Sequence, residues 1–253
     1  MAEASAARFP ELGSSWLEVG GGIAAYVESN SPANGTFGLG MGRTATVTDV
    51  RALERFFAER GERALAGICP LAHPSVLHTL SKRGWTPMAF ENVLVRELRP
   101  AEEFPTPPDD IEVRVVATDD ERELWAALAS NGFSAPDDPL PAELRLARAS
   151  ADIAGSVAMV GYVDGRPAGT GEVAIDGDVA WLTTDATLPQ FRRRGVQTAL
   201  QRARLEVARD AGCTIAVTES LPGSASQRNM ERLGFSVVYT RVEVLAPDRA
   251  AEG

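Results

Sequence analysis

The alternation of apolar and polar positions is sharpest in the second half of the chain. "DIEVRVV", residues 110–116, alternates with a period of two and predicts a strand. "DDERELWAALAS" (119–130) predicts a helix with an acidic first turn, and "PLPAELRLARAS" (139–150) another with proline near its start. "SVAMVGYVDGRPAGTGEVAI" (156–175) reads as two strands around Asp164-Gly165, and the device repeats at Asp176-Gly177-Asp178. Asp-Gly supplies the positive-φ residues of a tight hairpin, so three antiparallel strands are expected. Residues 196–211 place Val196, Leu200, Ala203, Val207 and Ala211 on one helical stripe. A buried strand (214–220), a helix closed by Gly234 and a last strand (237–245) complete the pattern. The expected class is α+β, a mixed and mostly antiparallel central sheet flanked by helices.

The first half repeats the end of this pattern at a shift of 150 residues without a gap. "RALERFFAER" (51–60) lies over "QRARLEVARD" (201–210), "ALAGICP" over "TIAVTES", and "LSKRGW" (80–85) over "MERLGF" (230–235). Each copy runs on into a final strand, which predicts a duplication and a pair of domains. Residues 99–110, "RPAEEFPTPPDD", hold four prolines and little that could join a core, the signature of a linker. The expected boundaries are therefore 1–98, 99–110 and 111–247.

Composition narrows the partners. A formal net charge of -10 argues against nucleic acid, whose phosphates demand a broad basic face. Residues 1–105 carry 10 Lys+Arg against 12 Asp+Glu, so -8 of the total falls on the remainder, a surface compatible with a cationic or amine-bearing partner. No apolar run of about 18 residues occurs, and the N-terminus lacks the basic-then-apolar pattern of a secretory signal. Two cysteines suggest a reducing compartment, so a cytoplasmic location is expected. Cys69 and Cys213 read as small core residues, and His73 and His78 have no ligand spacing, so no metal is expected. Trp125, Trp181 and Phe235 read as core anchors.

Against the acidic background stands "TLPQFRRRGVQTAL", residues 187–200. Arg192, Arg193 and Arg194 precede Gly195 and a helix start, where unpaired backbone N–H groups and the positive end of the helix dipole gather. Glycine lets backbone approach a ligand closely, and the guanidinium groups complete an anion site suited to a pyrophosphate. The alternative is a solvated charged turn. No G-x-x-x-x-G-K-S/T loop is present, and no G-x-G-x-x-G follows a strand.

In its strand–turn–helix setting, Arg192-Arg193-Arg194-Gly195-Val196-Gln197 resembles motif A of the GNAT superfamily of acyl-CoA-dependent N-acetyltransferases, usually written Gln/Arg-x-x-Gly-x-Gly/Ala. Gln197 departs from the small residue usual there. "SASQRNMERLGFSVVYTRVEV" resembles the family's closing helix–Gly-Phe–strand segment, so the resemblance covers about residues 111–246. It implies acyl transfer from acetyl-CoA to an amine by direct attack within a ternary complex. The backbone amides from Arg193 through Val196 and Gln197 to Thr198 would cradle the CoA pyrophosphate. Ala186 and Thr187 would bond the pantetheine as an added strand. The first half reads "LGMGRTATVT" where the turn should be, which implies a degenerate GNAT-like copy without its own cofactor.

The family's usual proton donor, a Tyr four residues before the Gly of the Gly-Phe pair, is Met230 here, and the Asn seven residues earlier is Gly223. Ser226 and Asn229 on the same helix, which also fall in the cofactor-binding region, and Tyr239 on the next strand are the possible substitutes. Glu219, Asp185 and Glu172 are the candidate bases. Met230 keeps a second reading open, a non-catalytic acyl-CoA-binding or regulatory protein. The acceptor, a small-molecule or protein amine, would meet "SNGFSAPDDPLPAEL" with its Asp137-Asp138 pair. A homodimer is compatible with the sequence.

Overall fold

The three hairpin strands form where the Asp-Gly turns demand them. Asp164 and Gly165 both take positive φ (50° and 73°), as does Gly177 (60°), which lets the strands on either side fold back with their natural twist. The computed structural model describes residues 1–133 and 141–248; Asp137 and Asp138 lie outside them. In chain order the elements are α1 (Ala2–Arg8), β1 (Ser15–Val19), β2 (Gly22–Tyr26), β3 (Gly35–Phe37), α2 (Val47–Ala58), β4 (Leu65–Ile68), α3 (Ser75–Lys82) and β5 (Thr86–Glu97). There follow β6 (Ile111–Val115), α4 (Asp119–Phe133), α5 (Pro141–Ser150), β7 (Ser156–Val163), β8 (Arg166–Asp176) and β9 (Val179–Thr187). A 3-10 turn (Pro189–Phe191) leads to α6 (Val196–Asp210), β10 (Ile215–Ser220), α7 (Ala225–Arg232) and β11 (Ser236–Leu245). This is the expected α+β class.

The chain forms two compact units, and neither is continuous in sequence. Unit 1 holds Met1–Val93, Ser220–Ser224 and the segment from Val237; unit 2 holds Leu94–Glu219 and Ala225–Ser236. This division differs from the expected cut at 98–111, because strands cross it in both directions. In unit 1 the strand order is β1-β2-β3-β4-β11-β5, and β11 runs antiparallel to β4 from Val242↔Ile68 to Leu245↔Leu65. In unit 2 the order is β5-β10-β9-β8-β7-β6, with β5 giving only its last residues, Leu94–Glu97.

The two copies share the way their last helix closes. Helices α3 and α7 lie 150 positions apart, and each closes with the same 3.1 Å bond, Trp85 N–H to the Leu80 carbonyl and Phe235 N–H to the Met230 carbonyl. Gly84 and Gly234, at φ 79° and 86°, make the left-handed exit that ends each helix. The exchanged strands make similar bonds with donors offset by two positions from the 150-residue shift: Leu98 donates to the Thr214 carbonyl at 2.8 Å, and Ala246 donates to the Ala64 carbonyl at 2.9 Å.

Unit 1 buries Val50, Leu53, Phe57, Val76 and Leu80 from α2 and α3 against Ala24, Ala66 and Val244 of its sheet. Unit 2 has two cores. One sets Val196, Leu200, Leu205, Met230 and Phe235 against Met159, Val173 and Leu182; the other sets Trp125, Ala126 and Ala129 against Ala158, Val160 and Tyr162. Trp125 and Phe235 are thus core residues, whereas Trp181 is exposed, since its strand position points outward. Cys213 is buried but Cys69, just beyond β4, is only half-buried.

Residues 99–110 are not a free linker. Phe104 packs on the first core of unit 2, Arg96 and Arg209 lie over its ring at 5.3 and 5.7 Å, and Arg96 also pairs with Glu102. One aromatic among the prolines was enough to dock the segment.

Candidate functional site

The site grows from an irregularity in β9. Along β8 and β9, Glu172 pairs with Thr183 while Thr170 pairs with Ala186, so β9 carries one extra residue, a β-bulge. Thr184 in that bulge has φ +56°, an outlier for a β-branched side chain. The parallel ladder between β9 and β10 begins at Val179↔Ile215 and ends at Leu182↔Thr218, immediately before the bulge. From there to Thr187 the edge of β9 facing β10 lies outside that ladder, the kind of strand edge an extended ligand can join.

The chain then enters the arginine turn. Arg193 (φ 63°) and Gly195 (φ 91°) both take left-handed backbone, and Gly195 is the N-cap of α6 with no side chain closing it. The first intrahelical bond of this turn is Ala199 N–H to the Gly195 carbonyl, so the N–H groups of Val196, Gln197 and Thr198 precede the helical ladder. They open on a cavity of about 580 Å³ lined by Asp185, Ala186, Thr187, Phe191, Arg192, Arg193, Gly195, Val196, Gln197, Thr198, Ala225 and Asn229. Backbone donors, two guanidinium groups and the dipole of a 15-residue helix converge on one space, the chemistry of an anion cradle.

The expected residues are distributed unevenly around it. Arg192 donates to the Thr187 carbonyl at 3.2 Å. Arg194 does not line the cavity; it donates to Asp110 at 2.7 Å and to Asp164 at 3.1 Å, which holds its guanidinium more firmly protonated. Ala225 lines the wall and its neighbour Ser226 does not, while Asn229 does. Met230 is 1% exposed inside the core, so no donor stands at that position. Asp185 lines the cavity, but its carboxylate is held by Arg204. Glu219 is half-buried at the end of β10 within unit 2, and Tyr239 belongs to unit 1. Glu172 is buried under hydroxyl donors from Ser150, Ser156, Thr183 and Thr184.

Sequence reasoning missed Arg204. It lies on α6, fully buried, and donates to the carbonyls of Leu200, Glu172 and Thr183 as well as to both oxygens of Asp185. A signal existed: Gly171 sits opposite, where a Cβ would come within 2.9 Å of Arg204 Nε.

Unit 1 is different at the equivalent place. Thr46 caps α2 with a complete capping box: its hydroxyl accepts from the Asp49 N–H, and the Asp49 carboxylate takes the Thr46 N–H. Arg43 adds a two-pronged pair to Asp49. Clefts of about 510 and 660 Å³ exist in unit 1, but Arg83, Arg63 and Arg43 along them already hold Glu54, the Ala246 carbonyl and Asp49. Among the described residues no group of three or more His, Cys, Asp or Glu could hold a metal ion, and no helix is long and apolar enough to cross a membrane.

A bulged strand that leaves its neighbour, followed by an uncapped arginine-bearing helix start, makes a site suited to an extended anionic ligand. Residues 119–235 match the model of the acetyltransferase (GNAT) family. The similarity in fold extends further than the model. A GCN5-related N-acetyltransferase from Kribbella flavida is 20% identical with a TM-score of 0.70, over 98% of this chain and 95% of that one. A tandem GNAT protein from the clavulanic acid biosynthesis pathway is 14% identical with a TM-score of 0.67, over 98% and 88%. A GCN5-related N-acetyltransferase from Sphaerobacter thermophilus is 17% identical, TM-score 0.61, over 92% and 76%. No curated protein sequence matches.

Proposed function

We propose that unit 2 transfers an acyl group from acyl-CoA, with acetyl-CoA as the donor, to the amine of a small molecule or protein, by direct attack within a ternary complex. The observation that carries this reading is the open N-terminus of α6 at Gly195, set beside the free edge of β9 in one cavity. The N–H groups of Val196 to Thr198, with Arg192 and Arg193, hold the pyrophosphate. Ala186 and Thr187 pair with the pantetheine amides and so direct the thioester toward the bulge. Bound there, acyl-CoA supplies an activated carbonyl. The acceptor nitrogen forms the new C–N bond as the C–S bond breaks, and one proton must leave the nitrogen while the thiolate gains one. Glu219, at the end of β10, is the carboxylate we assign to that proton.

Unit 1 serves as a copy without a cofactor of its own, since Thr46 and Asp49 already satisfy the first turn of α2. The test is calorimetric titration with acetyl-CoA, followed by thiol release across a panel of amines. No heat of binding would remove the proposal. The burial of Met230 favours one second reading, an acyl-CoA-binding protein without turnover; binding with no thiol release from any amine would select it.

A further inference from the structure

Two buried charges grip the same bulge from different elements. Arg204, 0% exposed on α6, donates to the Thr183 carbonyl at 3.0 Å, to the Glu172 carbonyl at 3.2 Å and to both oxygens of Asp185. Glu172, 1% exposed on β8, accepts from the hydroxyls of Thr183 at 3.3 Å and Thr184 at 2.8 Å. Between these grips lies Thr184 at φ +56°, a conformation that costs a β-branched residue free energy and persists only where its surroundings over-determine it.

We infer that Arg204 and Glu172 are positioning residues: together they clamp β9 in its strained bulge and so keep the ligand-binding edge of β9 away from β10. The inference rests on the acyl-CoA reading above. Neither side chain lines the cavity, so each acts through the backbone it holds. Without the clamp, Thr184 relaxes to ordinary extended backbone, the extra residue is no longer accommodated, and the β9 edge loses the geometry that accepts an extended ligand. Gly171 is part of the device, because any larger residue would collide with the Arg204 guanidinium.

Calorimetric titration with CoA tests this. The wild type binding no CoA defeats the parent reading, whereas wild-type binding with the outcomes below decides the clamp alone. Arg204→Met is expected to weaken CoA binding about tenfold or more. Adding Thr184→Gly, which permits positive φ at no cost, is expected to restore affinity to within about threefold. A residue that merely fills the core would not be rescued from the bulge. If Arg204→Met does not fold, Asp185→Asn decides. Removing a negative charge from the cavity wall would by itself tighten binding of an anion, so weaker binding with faster amide exchange at residues 183–186 supports the clamp. Tighter or unchanged binding, or failure of Thr184→Gly to restore a folded Arg204→Met protein, overturns it.

Discussion

Asn229 Nδ2 donates to Gln197 Oε1 at 2.7 Å, tying α7 to the first turn of α6. The strut continues, since Arg232 donates to Asn229 Oδ1 at 2.8 Å. Gln197 is where the sequence departs from the small residue of the motif it resembles, and the bond gives that departure a purpose. Its side chain is fastened to the neighbouring helix, which keeps it from lying loose across the anion cradle. Gln197→Ala and Asn229→Ala should each cost about 1 kcal/mol, and the double variant little more than either. Urea unfolding of the four proteins checks this; additive losses would show that the bond is not shared.

The three arginines of the turn should separate by function. Arg193 lines the cavity, while Arg194 is spent on Asp110 and Asp164. Arg193→Ala is expected to weaken acetyl-CoA binding about tenfold and to flatten its salt dependence, because one charge no longer faces the phosphates. Arg194→Ala should leave affinity within about twofold. Titrations at two ionic strengths distinguish them.

Gly195→Asp should abolish acetyl-CoA binding. It puts a negative charge at the mouth of the cradle and a side chain at φ 91°, a strain of roughly 1–2 kcal/mol. Far-ultraviolet circular dichroism should stay that of a folded protein with a slightly lower Tm. Binding at wild-type strength in a folded variant would count against the cradle.

The α2 cap makes unit 1 sensitive to acid. The Arg43 hydrogen bond, aided by the Thr46 N–H and hydroxyl against the opposing effect of burial, holds the Asp49 carboxyl well below its ordinary 3.8. A depressed carboxylate contributes stability that is present above its unfolded value and lost as pH falls below it. Asp49→Asn should therefore cost about 1 kcal/mol at pH 7 and make stability less dependent on pH below about 4. Thermal unfolding at pH 7 and pH 3 measures both.

The two thiols should react at different rates. Burial, then the Asp178 charge, pushes the Cys213 thiol up from 9.0, while Cys69 is half-buried beyond β4. At pH 8 a disulfide reagent should modify Cys69 first and reach Cys213 only on unfolding. Equal rates in the folded protein would contradict this burial.

What the sequence made legible were features whose cause is local. Asp-Gly pairs, Gly84 and Gly234, and the uncapped Gly195 each act within a few residues, so hairpins, helix exits and the start of α6 could be read directly. The stripe on α6 was only partly right. Val196 and Leu200 are buried as expected, but the buried face continues through Arg204, Leu205 and Ala208 rather than Ala211. An arginine on a helix reads as solvated until Asp185 and two carbonyls are known to meet it. The same holds for Phe104 among its prolines. The exchange of β5 and β11 was illegible for a related reason: the repeat at 150 residues dictates which strands are alike, while the choice of sheet depends on edges that only the folded units present.

The reciprocal placement of β5 and β11 gives the two copies a shared fate. A break in the interdomain segment near residue 105 would leave the first fragment without β11 beside β4, and the second with an exposed β10 that lacks its neighbour Leu94–Glu97. Each fragment would carry an unpaired edge that fits the other fragment's missing strand. Unit 1 is therefore not a dispensable appendage of unit 2. Each unit completes its sheet with a strand from the far half of the chain, so neither half of the sequence holds a whole sheet of its own.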